Sequence, residues 1–152
     1  MSKLLIISHV PSANTRKLTD AVLAGACDPS VEGVNVRFKQ PLETGPEEVM
    51  AADGIILGTT ENFAYMSGAM KDFFDRIFYP CLDHTEAMPY AMFVRAGQDG
   101  LGAQTSIERI VTGLKWKPVQ DPLICKGETE NFIEPCRKLG MLMAAGLEGS
   151  IF

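Results

Sequence analysis

The sequence has few cysteines and histidines, and it has no long apolar run. Its four cysteines form no C-x-x-C pair, and only two histidines are present to help them hold a metal. We therefore expect reduced, mostly buried cysteines, because free cysteine packs as a small hydrophobic residue. No run approaches the ~20 apolar residues of a membrane span, and the N-terminal apolar run is too short for a signal peptide. These absences predict a cytoplasmic protein with no membrane partner.

The chain also lacks an excess of positive charge. It carries 14 Lys and Arg against 19 Asp and Glu, for a formal net charge of -5. Nucleic-acid binding needs clustered Lys and Arg on one face, so this balance argues against a nucleic-acid partner. A small polar ligand is the better expectation. The 152 residues fall in the usual size range of one domain, and we predict a single domain over residues 1–152.

Short apolar runs alternate along the chain with segments of helical periodicity. The predicted strands are Leu4–Ser8, Val34–Phe38, Gly54–Gly58, Tyr90–Arg95 and, less clearly, Pro122–Cys125. The predicted helices are Asn14–Cys27, Pro46–Ala52, Ser67–Tyr79, Gly102–Leu114 and Glu130–Ala145, with Pro135 in the first turn of the last one. Apolar strands alternating with amphipathic helices predict an α/β fold, a parallel sheet with helices on both faces. A three-layer sandwich is the leading topology.

Ligands of such a sheet bind outside the carboxyl ends of the strands, where residues 8–15, 59–66 and 96–101 fall. The first of these loops has neither G-x-G-x-x-G nor the G-K-[ST] ending of a nucleotide triphosphate loop. It offers hydrogen-bond donors instead, next to the positive end of a helix dipole. These donors are the side chains of Ser8, Ser12, Asn14 and Thr15. The loop suits a phosphate monoester held without fixed positive charge, although Ser12 or Asn14 as a simple helix cap explains part of the pattern equally well.

The segment GTTENFAYMSGAMKDFFDR, from Gly58 to Arg76, combines a strand end, a polar turn, two aromatics and a helix start. Together with SHVPSANTRKL and VRAGQDGLGA, it resembles the flavodoxin-like NAD(P)H-dependent oxidoreductases, the FMN reductase and WrbA-type quinone reductase family. The likeness covers nearly the whole chain in the same order. It implies a five-stranded parallel sheet in the order 2-1-3-4-5, with helices on both faces.

The resemblance assigns FMN contacts to all three loops. The first loop would hold the FMN 5′-phosphate through Ser8, Ser12, Asn14 and Thr15, and His9 is either a further donor or an ordinary surface residue. The second loop would follow the isoalloxazine edge, largely through its backbone, at Thr59, Thr60, Glu61, Asn62 and Phe63, with Phe63 as an aromatic wall or a core residue. The third would close over the pyrimidine edge at Ala96, Gly97 and Gly100, where both glycines would allow backbone conformations closed to other residues.

The resemblance implies an enzyme that uses NADPH or NADH to reduce bound FMN and passes the electrons to a quinone, a flavin or a similar small acceptor. It also implies a homo-oligomer. A flavodoxin-type electron carrier is the first alternative, and a flavodoxin-like binding protein without cofactor is the second. Thr60 stands where many relatives have proline, and the third loop is short. These departures put the rigidity of the ring-edge loop and the second substrate in doubt.

Overall fold

The computed structural model describes residues 1–152 as one sheet with helices on both sides. The strands are β1 (Ser2–Ser8), β2 (Val34–Lys39), β3 (Gly54–Asn62), β4 (Tyr65–Met66), β5 (Pro89–Ala96), β6 (Lys117–Pro118) and β7 (Leu123–Lys126). The α-helices are α1 (Ala13–Ala26), α2 (Pro46–Ala51), α3 (Gly68–Cys81), α4 (Leu101–Gly113) and α5 (Ile133–Glu148).

The predicted sheet order is confirmed. Strands run β2-β1-β3-β5, and both β6 and β7 pair in parallel with β5, so that the fifth position is shared by two short strands. In the order of the main strands this is 2-1-3-4-5, the flavodoxin-like arrangement. β1 pairs with β3 so that Ser8 lies opposite Gly58, and β3 pairs with β5 so that Thr60 lies opposite Arg95. The loops that follow β1, β3 and β5 therefore lie side by side at the carboxyl edge.

Alternation along the central strands produces two separate cores. In β1, Leu5 and Ile7 belong to a core with α2, α3 and α4, whereas Leu4 and Ile6 belong to a core with α1 and α5. Every second side chain of a strand points to the same face, so a strand covered on both faces must be apolar throughout. This explains the continuous apolar runs of the sequence. The edge strand β2 instead alternates between half-buried and exposed residues.

Helix boundaries differ little from the predicted ones, with one exception. The last helix begins at Ile133 rather than Glu130, because a 3-10 turn over Thr129–Phe132 precedes it. Pro135 is then the third residue of α5, in the first turn as predicted, where its missing N–H has no intrahelical partner to lose.

Three of the four cysteines are buried, as expected, and Cys27 is exposed. None of the helices combines the length and the apolar character that crossing a membrane would require.

Candidate functional site

The loop between β1 and α1 presents the amino end of a helix to solvent. Ser12 is the N-cap: its hydroxyl accepts a hydrogen bond from the Thr15 N–H at 3.2 Å, and the Thr15 hydroxyl accepts one from the Ser12 N–H at 3.0 Å. This reciprocal pair satisfies two of the free donors at the helix start. The capping interpretation is thus confirmed for Ser12. The N–H groups of Ala13 and Asn14, the first two helical residues, have no acceptor within the helix, and both residues are exposed.

The predicted phosphate residues fall into two groups. Ser8 is buried, and its hydroxyl shares a hydrogen bond with that of Thr19 at 2.9 Å, so it supports the loop from beneath. Thr15 is also buried, with its hydroxyl committed to the cap. Ser12 and Asn14 are exposed. The open face of the loop is therefore formed by these two side chains and the backbone N–H groups of the first helical turn.

No free cation faces this loop. Arg16 pairs with Asp20 at 3.6 Å and its guanidinium lies 5.7 Å from the centre of the Phe38 ring, while Lys17 pairs with Glu130 at 3.0 Å. Partial burial lowers the pKa of His9 from its ordinary value of 6.5, which disfavours the imidazolium. The charge available at this place is that of the helix dipole and its N–H groups.

The predicted second loop, residues 59–66, is mainly a β-hairpin. β3 continues four residues past Gly58 to Asn62, and the chain returns as β4, with Glu61 opposite Met66 and Asn62 opposite Tyr65. The two turn residues between them, Phe63 and Ala64, have φ of 52° and 58°. Positive φ at both central positions is the type I′ turn, which normally takes Asn and Gly. Prediction from sequence missed this hairpin because Phe-Ala carries none of the usual turn chemistry.

Three contacts fix the strained hairpin to α4. The Glu61 carboxylate accepts hydrogen bonds from the N–H groups of Gly100, Gly102 and Ala103, at 3.3, 3.0 and 3.3 Å. A Cβ on Gly102 would lie 2.0 Å from the carbonyl oxygen of Ala64, so only glycine allows the hairpin to approach this closely. The Ser106 hydroxyl accepts from the Met66 N–H at 3.1 Å. Glu61 thus occupies the amino end of α4 and joins the second loop to the third.

The remaining second-loop residues divide between support and exposure. The Thr59 hydroxyl accepts a hydrogen bond from the Ser67 N–H at 2.9 Å and donates one to the Thr60 carbonyl at 2.9 Å, which ties the end of β3 to the start of α3. Asn62 is exposed, and Phe63 is fully exposed at 103%. The alternative placement of Phe63 in the core is therefore wrong, because the turn directs the ring away from the sheet.

Thr60 carries the one buried side-chain polar atom without a partner. Its hydroxyl oxygen is shielded from solvent and has no hydrogen bond. A buried hydroxyl left unpaired costs about 1–3 kcal/mol. Alternation places this side chain on the same sheet face as Ile56, on the side covered by α1 and α5. The unpaired hydroxyl lies at the carboxyl end of β3, next to the hairpin.

The third loop is a tight connection. Ala96 is buried at the end of β5, and Gly100 has φ +73° at the N-cap of α4, where its N–H reaches Glu61. The expectation that both glycines adopt a backbone conformation closed to other residues is confirmed for Gly100. It is wrong for Gly97, whose φ is not positive. Gly102 and Ser106 were not among the predicted site residues, although both contact the hairpin. A glycine and a serine in the first turns of a predicted helix are the only features of the sequence that mark these positions. They indicate a close contact only once the hairpin is known to pack there.

The comparison with known families agrees with this geometry. The sequence model of the family described as NADPH-dependent FMN reductase matches residues 12–129, which include the cap of α1, the hairpin and the third loop. The chain belongs to the NADPH-dependent FMN reductase family. The resemblance stated from the loop motifs is thereby confirmed.

Curated relatives of this FMN reductase family member have different descriptions. A flavodoxin of Aquifex aeolicus is 32% identical over 75% of this chain and 60% of its own length. An NAD(P)H dehydrogenase (quinone) of Acidithiobacillus ferrooxidans is 31% identical over 50% of this chain and 47% of its own length. The chain therefore spans about half to three-fifths of the relatives that it matches. Among solved structures, a flavodoxin from the domain Archaea has a TM-score of 0.79 at 18% identity, covering 96% of this chain and 99% of that one.

Proposed function

We propose that this protein is an FMN-dependent oxidoreductase that takes electrons from NADPH or NADH and passes them to a quinone, a flavin or a similar small acceptor. The observation that supports it best is the match to the NADPH-dependent FMN reductase family over residues 12–129, which include the cap of α1 and the second and third loops of the carboxyl edge. We place the protein in the cytoplasm as part of the same proposal.

The first loop fits a phosphate monoester. The N–H groups of Ala13 and Asn14 are free, and the side chains of Ser12 and Asn14 flank them at the exposed face. A helix amino end with unsatisfied N–H groups attracts an anion without any fixed cation, and none faces the loop here. The FMN 5′-phosphate would bind at this position, supported from below by Ser8 and Thr15.

The second and third loops fit the ring of the same ligand. Thr60 has a buried hydroxyl without a partner, and a rotation of its side chain toward the carboxyl edge would allow it to pair with a polar atom of a bound flavin. The hairpin is held rigidly to α4 by Glu61, so that the backbone N–H and carbonyl groups at the end of β3 have a fixed orientation. Position 60 is threonine where many relatives have proline, and the Glu61 contacts and the close approach at Gly102 support a fixed position of the loop without it.

Bound FMN would supply the redox chemistry, since it accepts electrons from a reduced nicotinamide and gives them to the acceptor. The residues of the protein would bind the flavin and orient it toward its electron donor and acceptor. No protein acid or base is needed for the electron transfer, which agrees with the lack of a paired nucleophile and base among the residues of the three loops.

Absorbance spectroscopy tests the proposal. Protein reconstituted with FMN should be yellow, and anaerobic addition of NADPH or NADH should bleach the visible absorbance of the flavin. Bleaching followed by recovery on adding a quinone would support the reductase. FMN binding without bleaching by either nicotinamide would contradict it.

The 32% identity to a flavodoxin favours an electron carrier as the second candidate. A carrier would exchange single electrons with a protein partner and would need no nicotinamide site. A redox titration separates the two: a carrier should take up its electrons in two well-separated one-electron steps, and a nicotinamide-dependent enzyme in one two-electron step. A protein that binds no FMN in equilibrium dialysis would instead favour the cofactor-free binding protein.

The pKa of His9 provides a local test of phosphate binding. Without ligand, burial holds the pKa of His9 below 6.5 in the folded protein. The unfolded chain therefore binds a proton at a higher pH than the folded protein does. As a result, the free energy of unfolding should decrease as the pH falls below about 6.5. A bound phosphate dianion should raise the pKa of His9 by favouring the imidazolium. An NMR pH titration of the His9 imidazole with and without FMN would measure this. An unchanged His9 titration would place the phosphate elsewhere.

A homo-oligomer is part of the proposal and is supported by the hairpin tip. Phe63 exposes its whole ring to solvent at the edge of the proposed flavin site, and contact with a partner would remove this apolar surface from water. A second copy of the chain is proposed to cover this ring. Sedimentation velocity of the wild type and Phe63→Glu would test it, and a wild type that is monomeric at micromolar concentration would contradict it.

A further inference from the structure

A surface cavity adjoins the hairpin on its α4 side. It has a volume of about 340 Å³ and lies between the return strand of the hairpin and the first turns of α4. Its lining residues are Ala64, Tyr65, Leu101, Gly102, Thr105, Ser106 and Arg109. The volume is at the lower end of the range typical of ligand sites, about 300–1,000 Å³. The two elements that form it are the ones that Glu61 joins at the proposed flavin edge.

Arg109 is the only charged residue of this cavity, and no carboxylate lines it. Of the six arginines in the chain, five make ion pairs or hydrogen bonds within the protein: Arg16, Arg37, Arg76, Arg95 and Arg137. Arg109 makes none and is exposed. A guanidinium that no protein group has engaged keeps all its donors for a ligand, and its planar fork matches two oxygens of a phosphate.

The other lining groups suit the rest of a nucleotide. Tyr65 and Leu101 are exposed by 40% and 54%, and they offer an aromatic face and an apolar wall to a flat base. Thr105 is exposed and adds a hydroxyl one helical turn before Arg109. The Ser106 hydroxyl is already committed to the Met66 N–H and the Ala103 carbonyl, so it shapes the floor of the cavity without contributing a free donor.

We propose that this cavity binds the adenosine 2′-phosphate end of NADPH, with the Arg109 guanidinium on the phosphate and Tyr65 against the adenine. The inference rests on the proposed use of a nicotinamide nucleotide. NADPH is the nucleotide in the family's description, and the inference adds which residues of this chain would distinguish its 2′-phosphate from NADH. In a protein of net charge -5, an acid-free cavity with one uncommitted arginine is a favourable place for the extra phosphate dianion.

Two fragments of the nucleotide test the site independently of electron transfer. The FMN-loaded protein is titrated by calorimetry with 2′,5′-ADP, which carries the 2′-phosphate, and with 5′-AMP, which does not. The wild type should bind 2′,5′-ADP roughly tenfold more tightly, since a bidentate charged contact distinguishes them. Arg109→Leu should abolish this difference, and Arg109→Lys should retain part of it, because lysine keeps the charge without the fork.

Steady-state kinetics then connects the site to the reaction. Arg109→Leu should raise the KM for NADPH by roughly tenfold with little effect on kcat, and should leave the KM for NADH close to the wild-type value. Lys138→Leu is the matched control, since Lys138 is an exposed cation without an ion pair on α5, which packs on the opposite face of the sheet. This control should resemble the wild type with both nucleotides.

The outcomes distinguish the proposed 2′-phosphate site from the proposed reductase activity. A wild type that prefers neither fragment, or an Arg109→Leu variant that loses NADPH and NADH equally, would overturn the 2′-phosphate assignment even if the flavin is reduced. An Arg109-dependent preference for 2′,5′-ADP in a protein whose flavin is not bleached by NADPH would support the binding site and remove the reductase.

Discussion

Replacing Glu61 with alanine is expected to lower the free energy of unfolding by about 2–3 kcal/mol and to weaken FMN binding by roughly tenfold or more. The carboxylate is the shared acceptor for three N–H groups at the start of α4, and it is the only side chain that joins the hairpin to the third loop by charge-assisted hydrogen bonds. Without it, the strained Phe63-Ala64 turn loses one of its three attachments, and the two loops proposed to hold the flavin ring can separate.

Urea denaturation and a fluorescence titration with FMN measure the two effects. Glu61→Gln should fall between the wild type and Glu61→Ala, because the amide keeps one acceptor oxygen and loses the charge that favours the helix amino end. The control is Glu130→Ala, which removes an exposed carboxylate with a single ion pair to Lys17 and should change stability little. A stable Glu61→Ala protein with wild-type FMN affinity would show that the junction has no role in holding the loops.

The order of the strands and the two cores could be predicted from the sequence because both follow from local patterns. Continuous apolar runs such as Leu4–Ile7 require helices on both faces, and a helix between each pair of strands requires parallel pairing. The capping of α1 was also predictable, because Ser12 and Thr15 are close in sequence and their hydrogen bonds are local. Such interactions depend on the residue types within a few positions.

The interactions that shape the site could not be predicted in the same way. Glu61 and Gly102 are 41 residues apart, and nothing in the neighbourhood of either residue indicates that they meet. The hairpin tip shows the same limit, since Phe63 and Ala64 adopt positive φ against their own preference. Tertiary contacts with α4 impose that conformation. The predicted list of contact residues therefore contained the correct segments, but it did not distinguish exposed groups such as Asn14 from supporting ones such as Ser8.

The proposed phosphate contact at the amino end of α1 predicts that Ala13→Pro weakens FMN binding by roughly tenfold to a hundredfold while the helix remains intact. Ala13 is the first residue of α1, a position where proline is favoured because its N–H has no intrahelical acceptor. The preceding residue, Ser12, already has the extended backbone that a following proline requires, with φ -147° and ψ 169°. The substitution therefore removes one N–H donor from the proposed phosphate site and leaves the protein's hydrogen bonds in place.

Riboflavin, which lacks the phosphate, makes the test specific. Ala13→Pro should bind riboflavin as the wild type does and should lose affinity only for FMN, with unfolding measured in parallel to show that stability is unchanged. Ala13→Val is the matched control, because valine adds a comparable bulk and keeps the N–H. Equal losses for the proline and valine variants would indicate a steric effect, and wild-type FMN affinity in Ala13→Pro would show that the phosphate does not accept a hydrogen bond from this N–H.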